Sequence, residues 1–232
     1  MAIRPLYMPN AVGRTLVTAR MIEFTWFAGM SVRQKQRSIE ALHQAAADLG
    51  VYRVLEISTK STDEDGIALS AFNLSFKSQK NARRFTVESV FQGSKVFEHG
   101  GPYIDLYQAP SRTAKRDERL TASGQLIGFS FFRENWPLEP KTAFYDWVYL
   151  NTLVKNPQLA STLTTFEAFT DIEFNPDRSI NCQAYSAALY CSLKERDLLE
   201  DALSSKERFL AIVGGGERTV RLPAAEQQVF KL

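Results

Sequence analysis

The 232-residue sequence has few of the residues that build metal sites and disulfide frameworks. It contains two histidines, His43 and His99, and two cysteines, Cys182 and Cys191. Two histidines cannot form a histidine-rich metal site, and neither lies in a recognisable catalytic pattern. The cysteines are nine residues apart on one predicted helix, on opposite faces, and cannot bridge each other. We therefore expect no metal and no intramolecular disulfide, which fits a reducing cytoplasm.

Long apolar runs, a secretory signal and a strong net charge are also missing. No run reaches the roughly 18 apolar residues that a membrane span needs, and the N-terminus lacks an apolar signal segment. The formal net charge is only +2, which does not indicate a general nucleic-acid binder. The glycines at 214–216 precede no predicted helix, which excludes a dinucleotide fingerprint and a P-loop. We expect a soluble cytoplasmic protein with no membrane partner and no cofactor.

Hydrophobic patterns predict an α+β fold. Strands are predicted at residues 14–27, 51–58, 67–76, 82–87, 124–132 and 167–174. Ser31 is predicted to cap a helix that ends at Gly50, and further helices are predicted at 87–97, 111–120, 141–156 and 181–203. Residues 208–213 and 218–223 are typical of a terminal hairpin. Because no repeat or linker divides the chain, we expect one mostly helical domain around a small mixed sheet.

The predicted helix 87–97 carries a polar stripe beside its apolar face. Glu88, Gln92 and Lys95 lie at helical spacing and point the same way. They are either a solvated edge or a reactive group. A lysine amine attacks the anomeric carbon of an opened sugar only when it is neutral, which requires desolvation or cationic neighbours. Since an anionic Glu88 would raise the lysine pKa, that glutamate must be partly protonated or must handle a substrate proton.

Two carboxylates share one face of the predicted strand 167–174. Asp171 and Glu173 alternate with Ile172 and Phe174, which share the other face. The two carboxylates could act as general acid and base at a glycosidic centre. An exposed strand face would show the same alternation, so the pattern alone does not distinguish a catalytic pair of carboxylates from an ordinary exposed face.

The predicted helix 111–120 carries a basic stripe, formed by Arg112, Lys115, Arg116 and Arg119. Such a stripe suits phosphate groups, although the neighbouring Asp117 and Glu118 also allow an ordinary salt-bridged surface helix. Trp136 lies on the predicted loop 135–140 and is the aromatic residue that we expect to be freest for stacking on a ligand.

Taken in order, these segments resemble the NADAR family, also called YbiA-like N-glycosidases. Residues 87–95, with Val87-Glu88, Phe91-Gln92 and Lys95, resemble its pattern V-E-H-x-(Y/F)-Q-x-x-K. Residues 69–73 resemble L-S-N-F-Y, and residues 114–119 resemble A-K-x-x-G-R. Trp136 stands where the family has a loop tryptophan. Residues 169–173, followed by Asn181, resemble the family's late acidic strand and the start of the next helix.

The resemblance spans about residues 66–200 and includes clear departures. Ala71 replaces an asparagine, Ser89 replaces a histidine, and residues 175–178 replace a W-G-x-G turn. Together with the extra residues 1–65, these departures indicate a divergent branch. It resembles the branch encoded beside DarT-type toxins, in which the NADAR partner removes ADP-ribose from guanine in DNA.

The resemblance implies an NADAR-like fold, a division of the chain and a set of site residues. We expect residues 1–65 to pack on a catalytic core at 66–200, and residues 201–232 to complete the same domain. Lys95 is expected to form an imine with the opened ribose, assisted by proton transfers at Glu88, Asp171 and Glu173. The implied substrate contacts are Phe72, Asn73, Phe91, Gln92, Lys115, Arg116, Trp136 and Asn181.

Two other functions stay open at this point. The first is a metabolic N-glycosidase that acts on a riboflavin-pathway aminopyrimidine ribotide. The second is a non-catalytic antitoxin that binds a nucleotide or covers a DarT-type toxin, which the departures at Ala71, Ser89 and 175–178 favour.

Overall fold

The computed structural model describes residues 1–77, 83–175 and 180–214, and the backbone of a short strand at 219–221. The strands are β1 (Ala2–Pro9), β2 (Val17–Phe24), β3 (Val54–Glu56), β4 (Ser75–Lys77), β5 (Arg84–Thr86), β6 (Lys95–Phe97), β7 (Leu126–Phe131), β8 (Glu134–Trp136), β9 (Ala168–Thr170) and β10 (Thr219–Arg221). The helices are α1 (Val32–Ala47), α2 (Glu64–Ala68), α3 (Val87–Gly93), α4 (Ser111–Lys115), α5 (Arg119–Ala122), α6 (Ala143–Leu153), α7 (Pro157–Leu163), α8 (Gln183–Glu195), α9 (Leu199–Ser204) and α10 (Lys206–Gly214). A 3-10 helix lies at Ile104–Gln108. This mixture confirms the predicted α+β class.

The main sheet joins strands from both ends of the chain. Its order is β10-β2-β1-β9-β3. Strands β1 and β2 form a regular antiparallel ladder, and β1 also pairs with β9 at Tyr7 and Phe169. Strand β3 is parallel to β9, and β10 is parallel to β2, so the sheet is mixed as predicted. Strands from residues 1–65 therefore build the sheet together with β9.

Helix α1 covers one face of this sheet. Ser31 accepts a hydrogen bond from the Gln34 backbone N–H at 3.2 Å, which confirms the predicted cap. The buried side of the helix packs Ile39 and Leu42 against Leu6 and other sheet residues. A larger core lies on the other side, where α6 and α8 bury Tyr149, Phe144 and Leu189. Sheet and helices thus bury apolar residues on both faces, as a layered domain requires.

Helix α3 is shorter than the sequence predicts. It ends at Gly93, and Lys95 begins β6, which pairs with β7 at Phe129. An added Cβ at Gly93 would lie 2.6 Å from the Tyr107 ring and 2.8 Å from the Tyr103 carbonyl oxygen, so the chain there needs glycine. The prediction of one continuous helix to Phe97 is wrong, because the chain turns out of the helix to pair with β7.

Four further elements differ from the predictions. Residues 67–76 were expected as strands but contain the end of α2, a turn and the start of β4. The basic helix is divided, because α4 ends at Lys115 and α5 begins at Arg119, whose backbone N–H donates to the Asp117 carboxylate. Trp136 lies in β8, not on a loop. The predicted strand 167–174 ends at Thr170, so Asp171 and Glu173 lie in the following turn.

The C-terminal predictions differ as well. The long helix 181–203 is broken at Asp197, whose φ of +55° closes the end of α8, and the chain resumes as α9. The predicted terminal hairpin is wrong, since residues 208–213 lie in α10 and β10 pairs parallel with β2. In α10 the fully buried Phe209 packs against Trp147. The glycine turn predicted at 214–216 begins at Gly214, which is instead the last residue of α10. Residues 215–216 and most of the predicted loop 175–180 lie outside the described residues.

Candidate active site

A cavity of about 480 Å³ lies where α3, β6, α4, α6, α8 and the turn after β9 meet. It is lined by Thr59, Ala71, Phe72, Glu88, Phe91, Gln92, Lys95, Lys115, Tyr145, Asp171, Glu173, Phe174, Ile180, Asn181 and Gln183. This volume is within the range of small-molecule and nucleotide sites. The acidic and basic side chains on its wall give it the chemical groups of an active site.

Helix α3 supplies a buried acid and amide to this cavity. Every residue of the helix is buried, so Glu88 and Gln92 are not on a solvated edge. The Gln92 side-chain nitrogen donates to the Glu88 Oε1 at 2.9 Å. This bond directs the Gln92 Oε1 the other way, and that oxygen has no hydrogen-bond partner among the described residues. An unsatisfied buried acceptor on a cavity wall is suited to an N–H or O–H group of a ligand.

Lys95 reaches the cavity from the first residue of β6. Its Nζ lies 4.9 Å from the centroid of the Phe91 ring. Burial lowers the pKa of the Lys95 amine, Glu88 raises it, and the positive charge of Lys115 lowers it further, with a net decrease. The amine is therefore neutral more often at neutral pH than an exposed lysine is, which is the condition for nucleophilic attack.

Lys115 lies between Glu88 and Phe72. Its Nζ is 3.7 Å from the Glu88 Oε1 and 5.0 Å from the centroid of the Phe72 ring. More than half of the Lys115 side chain is exposed, whereas Glu88 is buried. This places a cation on the solvent side of the cavity, above a buried carboxyl group.

The turn after β9 contributes a second pair of carboxyl groups. The Oδ1 of the buried Asp171 accepts the backbone N–H groups of Glu173 and Phe174 at 3.0 and 3.1 Å. Burial, followed by the nearby carboxyl groups of Glu56 and Glu173, raises the pKa of Asp171 to about 8. Glu173 is exposed and accepts a hydrogen bond from Thr59 at 3.3 Å. Two carboxyl groups in different surroundings can take different proton-transfer roles.

A comparison with protein-family models shows which family the chain belongs to. The model of the DarT1-associated NADAR antitoxins matches residues 2–221, nearly the whole chain. The chain belongs to the DarT1-associated NADAR antitoxin family. A search of curated proteins finds none that matches it. Membership supports a DarT-associated antitoxin role, and the NADAR family is in general N-glycosidase-like.

The fold brings most of the predicted site residues together. The cavity wall holds Lys95, Glu88, Asp171, Glu173, Phe72, Phe91, Gln92, Lys115 and Asn181. These side chains come from elements that are separated along the chain, so their meeting depends on the fold.

Three predicted substrate contacts lie elsewhere. Trp136 is buried in the core against Phe144 and Trp147, so the interpretation of it as a free stacking residue is wrong. Arg116, which follows the last residue of α4, is exposed and does not line the cavity. The Asn73 side chain donates to the Ile67 carbonyl oxygen at 2.8 Å and lines another groove.

The cavity also has residues that the sequence did not predict. Tyr145 lies in α6, where an aromatic residue at helical spacing is typical of core. Gln183 accepts the Ala71 N–H and donates to the Ile57 carbonyl oxygen, both at 2.7 Å, and thus joins α8 to two other segments. Nothing in their local sequence distinguishes either residue. Only the position of Gln183 two residues after Asn181, at the expected helix start, could have indicated it.

The replaced family residues have different places. Ser89 does not line the cavity, and its hydroxyl donates to the Ala109 carbonyl oxygen at 2.9 Å. Ala71 does line the cavity. Among the described residues, no group of three or more His, Cys, Asp and Glu side chains is arranged to hold a metal ion. None of the described helices is both long and apolar enough to cross a membrane.

Proposed function

We propose that this antitoxin hydrolyses the N-glycosidic bond between ADP-ribose and guanine in DNA. The observation that carries the proposal is that Lys95, with its lowered pKa, shares one cavity with the carboxyl groups of Glu88, Asp171 and Glu173. A neutral amine beside proton donors and acceptors is the equipment for imine chemistry at a sugar carbon. The family supports the antitoxin role, and the DarT-type toxin is the expected partner.

The reaction begins with opening of the ribose ring. A carboxylic acid of the cavity gives a proton to the ring oxygen as the bond from that oxygen to the anomeric carbon breaks. The electron pair of that bond goes to the oxygen, and the base nitrogen supplies the pair for a C=N bond. Glu88, Asp171 and Glu173 are the available proton donors and acceptors.

Lys95 then replaces the base. Its neutral amine adds to the anomeric carbon, and a carboxylate moves a proton from the lysine nitrogen to the base nitrogen. The bond from the base to the anomeric carbon breaks, the electron pair leaves with the base, and a lysine imine remains. Water adds to the imine carbon, and cleavage of the carbon–lysine bond releases ADP-ribose and restores the amine.

The rest of the cavity recognises the nucleotide. Lys115, as the exposed cation of the cavity wall, binds phosphate oxygens, and the Phe72 ring beside it stacks on a base. The Gln92 Oε1 accepts an N–H or O–H group of the substrate. Phe91, beneath Lys95, and Asn181 complete the contacts.

The test is release of ADP-ribose from an oligonucleotide that carries ADP-ribosylated guanine. Lys95→Ala is expected to lower kcat by about 10³-fold or more, since it removes the nucleophile. Lys155→Ala is the matched control, because the Lys155 Nζ also lies over a phenylalanine ring, Phe76 at 4.5 Å, but outside this cavity. The control is expected to keep full activity. Undiminished release by a folded Lys95→Ala variant would remove Lys95 from the chemistry.

The same assay separates the rival functions. A purely binding antitoxin forms a tight complex with its toxin or nucleotide and releases no ADP-ribose. A metabolic N-glycosidase cleaves an aminopyrimidine ribotide in preference to the modified oligonucleotide when both are offered. Either result would replace the proposed activity.

A further inference from the structure

A buried glutamate outside the family motifs holds the backbone on both sides of Asp171. Glu56, the last residue of β3, lies opposite Thr170 in the β3–β9 ladder. Its Oε2 accepts the Thr170 hydroxyl at 2.7 Å, and its Oε1 accepts the Ile172 backbone N–H at 2.8 Å. A single carboxyl group therefore holds both residues that flank Asp171. It fixes the backbone at the end of β9, from which the Asp171 side chain projects.

The surroundings of this pair of carboxyl groups contain no balancing cation within the described chain. Glu56 is 2% exposed and Asp171 is 8% exposed. None of the salt bridges between described residues includes either of them. Two like charges that are buried close together without a cation cannot both be kept at low cost. The pair therefore retains a proton at neutral pH.

Both carboxyl groups accept hydrogen bonds from neighbouring groups. Glu56 accepts from the Thr170 hydroxyl, the Ile172 N–H and the Ser58 side chain, which favour its anion. The Thr170 hydroxyl, which donates to Glu56, in turn accepts from the His43 Nε2 at 2.9 Å. The Asp171 Oδ1 accepts two backbone N–H groups, and the Gln183 side chain also forms a hydrogen bond to Asp171. Burial beside Glu56 nevertheless raises the pKa of Asp171, and a proton on Asp171 lies on the oxygen other than Oδ1.

We propose that Glu56 is a positioning residue that keeps the carboxyl group of Asp171 protonated and directed into the cavity, where Asp171 acts as the general acid. This inference rests on the proposed function and assigns one step of it. Asp171 gives its proton to the ribose ring oxygen as the bond from that oxygen to the anomeric carbon breaks. The Asp171 carboxylate regains a proton from the water that resolves the lysine imine.

The electrostatic surroundings agree with this assignment. The pKa values of Asp171 and Glu56 are both raised, chiefly by burial. The other titratable groups that face Asp171 are Glu173 from its own turn, Cys182 before α8, and Tyr145 and Tyr149 from α6. His43 lies beyond Thr170, and burial lowers its pKa to about 4, so it is neutral at pH 7. Among its ionisable neighbours, Glu56 therefore has the largest effect on the charge of Asp171.

The test compares the pH dependence of kcat/KM of the wild type with that of Glu56→Gln. In the wild type, activity is expected to fall as pH rises through about 8, where Asp171 loses its proton. Glu56→Gln keeps the size of the side chain but removes its charge, so the pKa of Asp171 falls. The decline in activity should then move to lower pH by at least about one unit. A decline at the same pH as in the wild type would overturn the inference.

Glu167→Gln is the matched control. The Glu167 Oε2 accepts the backbone N–H groups of Tyr52 and Arg53 at 3.1 Å, so this carboxylate also joins the β3 and β9 segments, but at the opposite end and outside the cavity. Its replacement removes a comparable carboxylate and is expected to leave the pH profile unchanged. A shift in both variants alike would mean that any carboxylate between these segments has the effect, and the inference would fail.

A carboxyl titration of the free protein separates this inference from the proposed function. ¹³C NMR of carboxyl-labelled wild-type protein needs no substrate and no folded Glu56 variant, and the Asp171 signal is identified by its loss in Asp171→Asn. We expect Asp171 to titrate near pH 8, with the Glu56 signal responding as it does so. Ionisation of Asp171 below pH 5, or independent titrations, would overturn the pairing. Coupled titration without any release of ADP-ribose would leave the pairing intact and refute the glycohydrolase function.

Discussion

At the scale of single residues, burial shifts the pKa values of two ionisable groups of the cavity toward neutral pH. It lowers the pKa of the Lys95 amine and raises the pKa of the Asp171 carboxyl group. The same desolvation acts in opposite directions because it disfavours whichever form is charged. An amine that can be neutral and an acid that can be protonated, in one cavity, are what the proposed mechanism requires of its nucleophile and its proton donor.

The raised pKa of Asp171 has a consequence for stability. In the unfolded chain this group loses its proton near its ordinary pKa of 3.8, and in the folded chain it does so near 8. Between these values the folded state binds more protons, so its free energy of unfolding decreases as pH rises. Asp171→Asn removes that cost and keeps an oxygen for the Glu173 and Phe174 N–H groups. The Tm advantage of Asp171→Asn over the wild type should therefore be larger at pH 9 than at pH 5, as measured by calorimetry.

An equal Tm difference at pH 5 and pH 9 would contradict this explanation. Each pKa unit corresponds to about 1.4 kcal/mol, and each kcal/mol to about 2–4 °C for a domain of this size. The gain in stability is expected together with a loss of ADP-ribose release, since the side chain that is costly to bury is also the proposed acid.

The sequence predicted the residues whose chemistry is visible in a local pattern. Glu88, Gln92 and Lys95 were found from spacing, although Lys95 is on a strand, because a turn after Gly93 still directs it into the same cavity. Trp136 was misplaced, since its burial depends on α6 and α10, which no local pattern specifies. Glu56 was missed for the same reason, because its partner Thr170 is 114 residues away.

At the scale of elements, the end of α3 determines where Lys95 lies. Gly93 is the last residue of the helix and is tightly packed against Tyr107 and Tyr103. Gly93→Ala would place a methyl group in contact with a ring and a backbone oxygen, so the helix end must move. We expect a loss of about 1–3 kcal/mol of stability, seen as a lower Tm, together with reduced ADP-ribose release.

Gly214→Ala is the corresponding control at the end of another helix. A Cβ there would lie 3.4 Å from the Pro140 side chain, which is ordinary contact. Its Tm and activity are expected to stay close to those of the wild type. A Gly93→Ala variant as stable and active as this control would show that the close packing does not set the position of Lys95.

Short elements were the least predictable from sequence. The strongly periodic α1 was predicted with its cap, and α6 with its buried face. The pieces around residues 67–76 and 208–213 have apolar content that suits a strand or a helix equally, and tertiary contacts decided the outcome. The fully buried Phe209 of α10 illustrates this, since its partners are the distant Trp136 and Trp147.

At the scale of the whole molecule, the N-terminal strands and the motif-bearing residues form one structure. Strand β1 lies between β2 and β9 in the main sheet, and Glu56 and Thr59 reach the site from the segment before the motifs. The family match to residues 2–221 has the same extent. The site therefore depends on pairing between segments that are far apart in the chain, which is why a resemblance limited to residues 66–200 described only part of it.

The proposed imine between Lys95 and the opened ribose is tested most directly by reduction with borohydride during turnover. Borohydride converts an imine into a stable amine, so the enzyme acting on an oligonucleotide with ADP-ribosylated guanine should gain an adduct of substrate size. Mass spectrometry of peptides should locate the adduct on Lys95, with Lys155 unmodified and no adduct in Lys95→Ala. An enzyme that continues to release ADP-ribose while Lys95 never acquires the adduct would contradict the account.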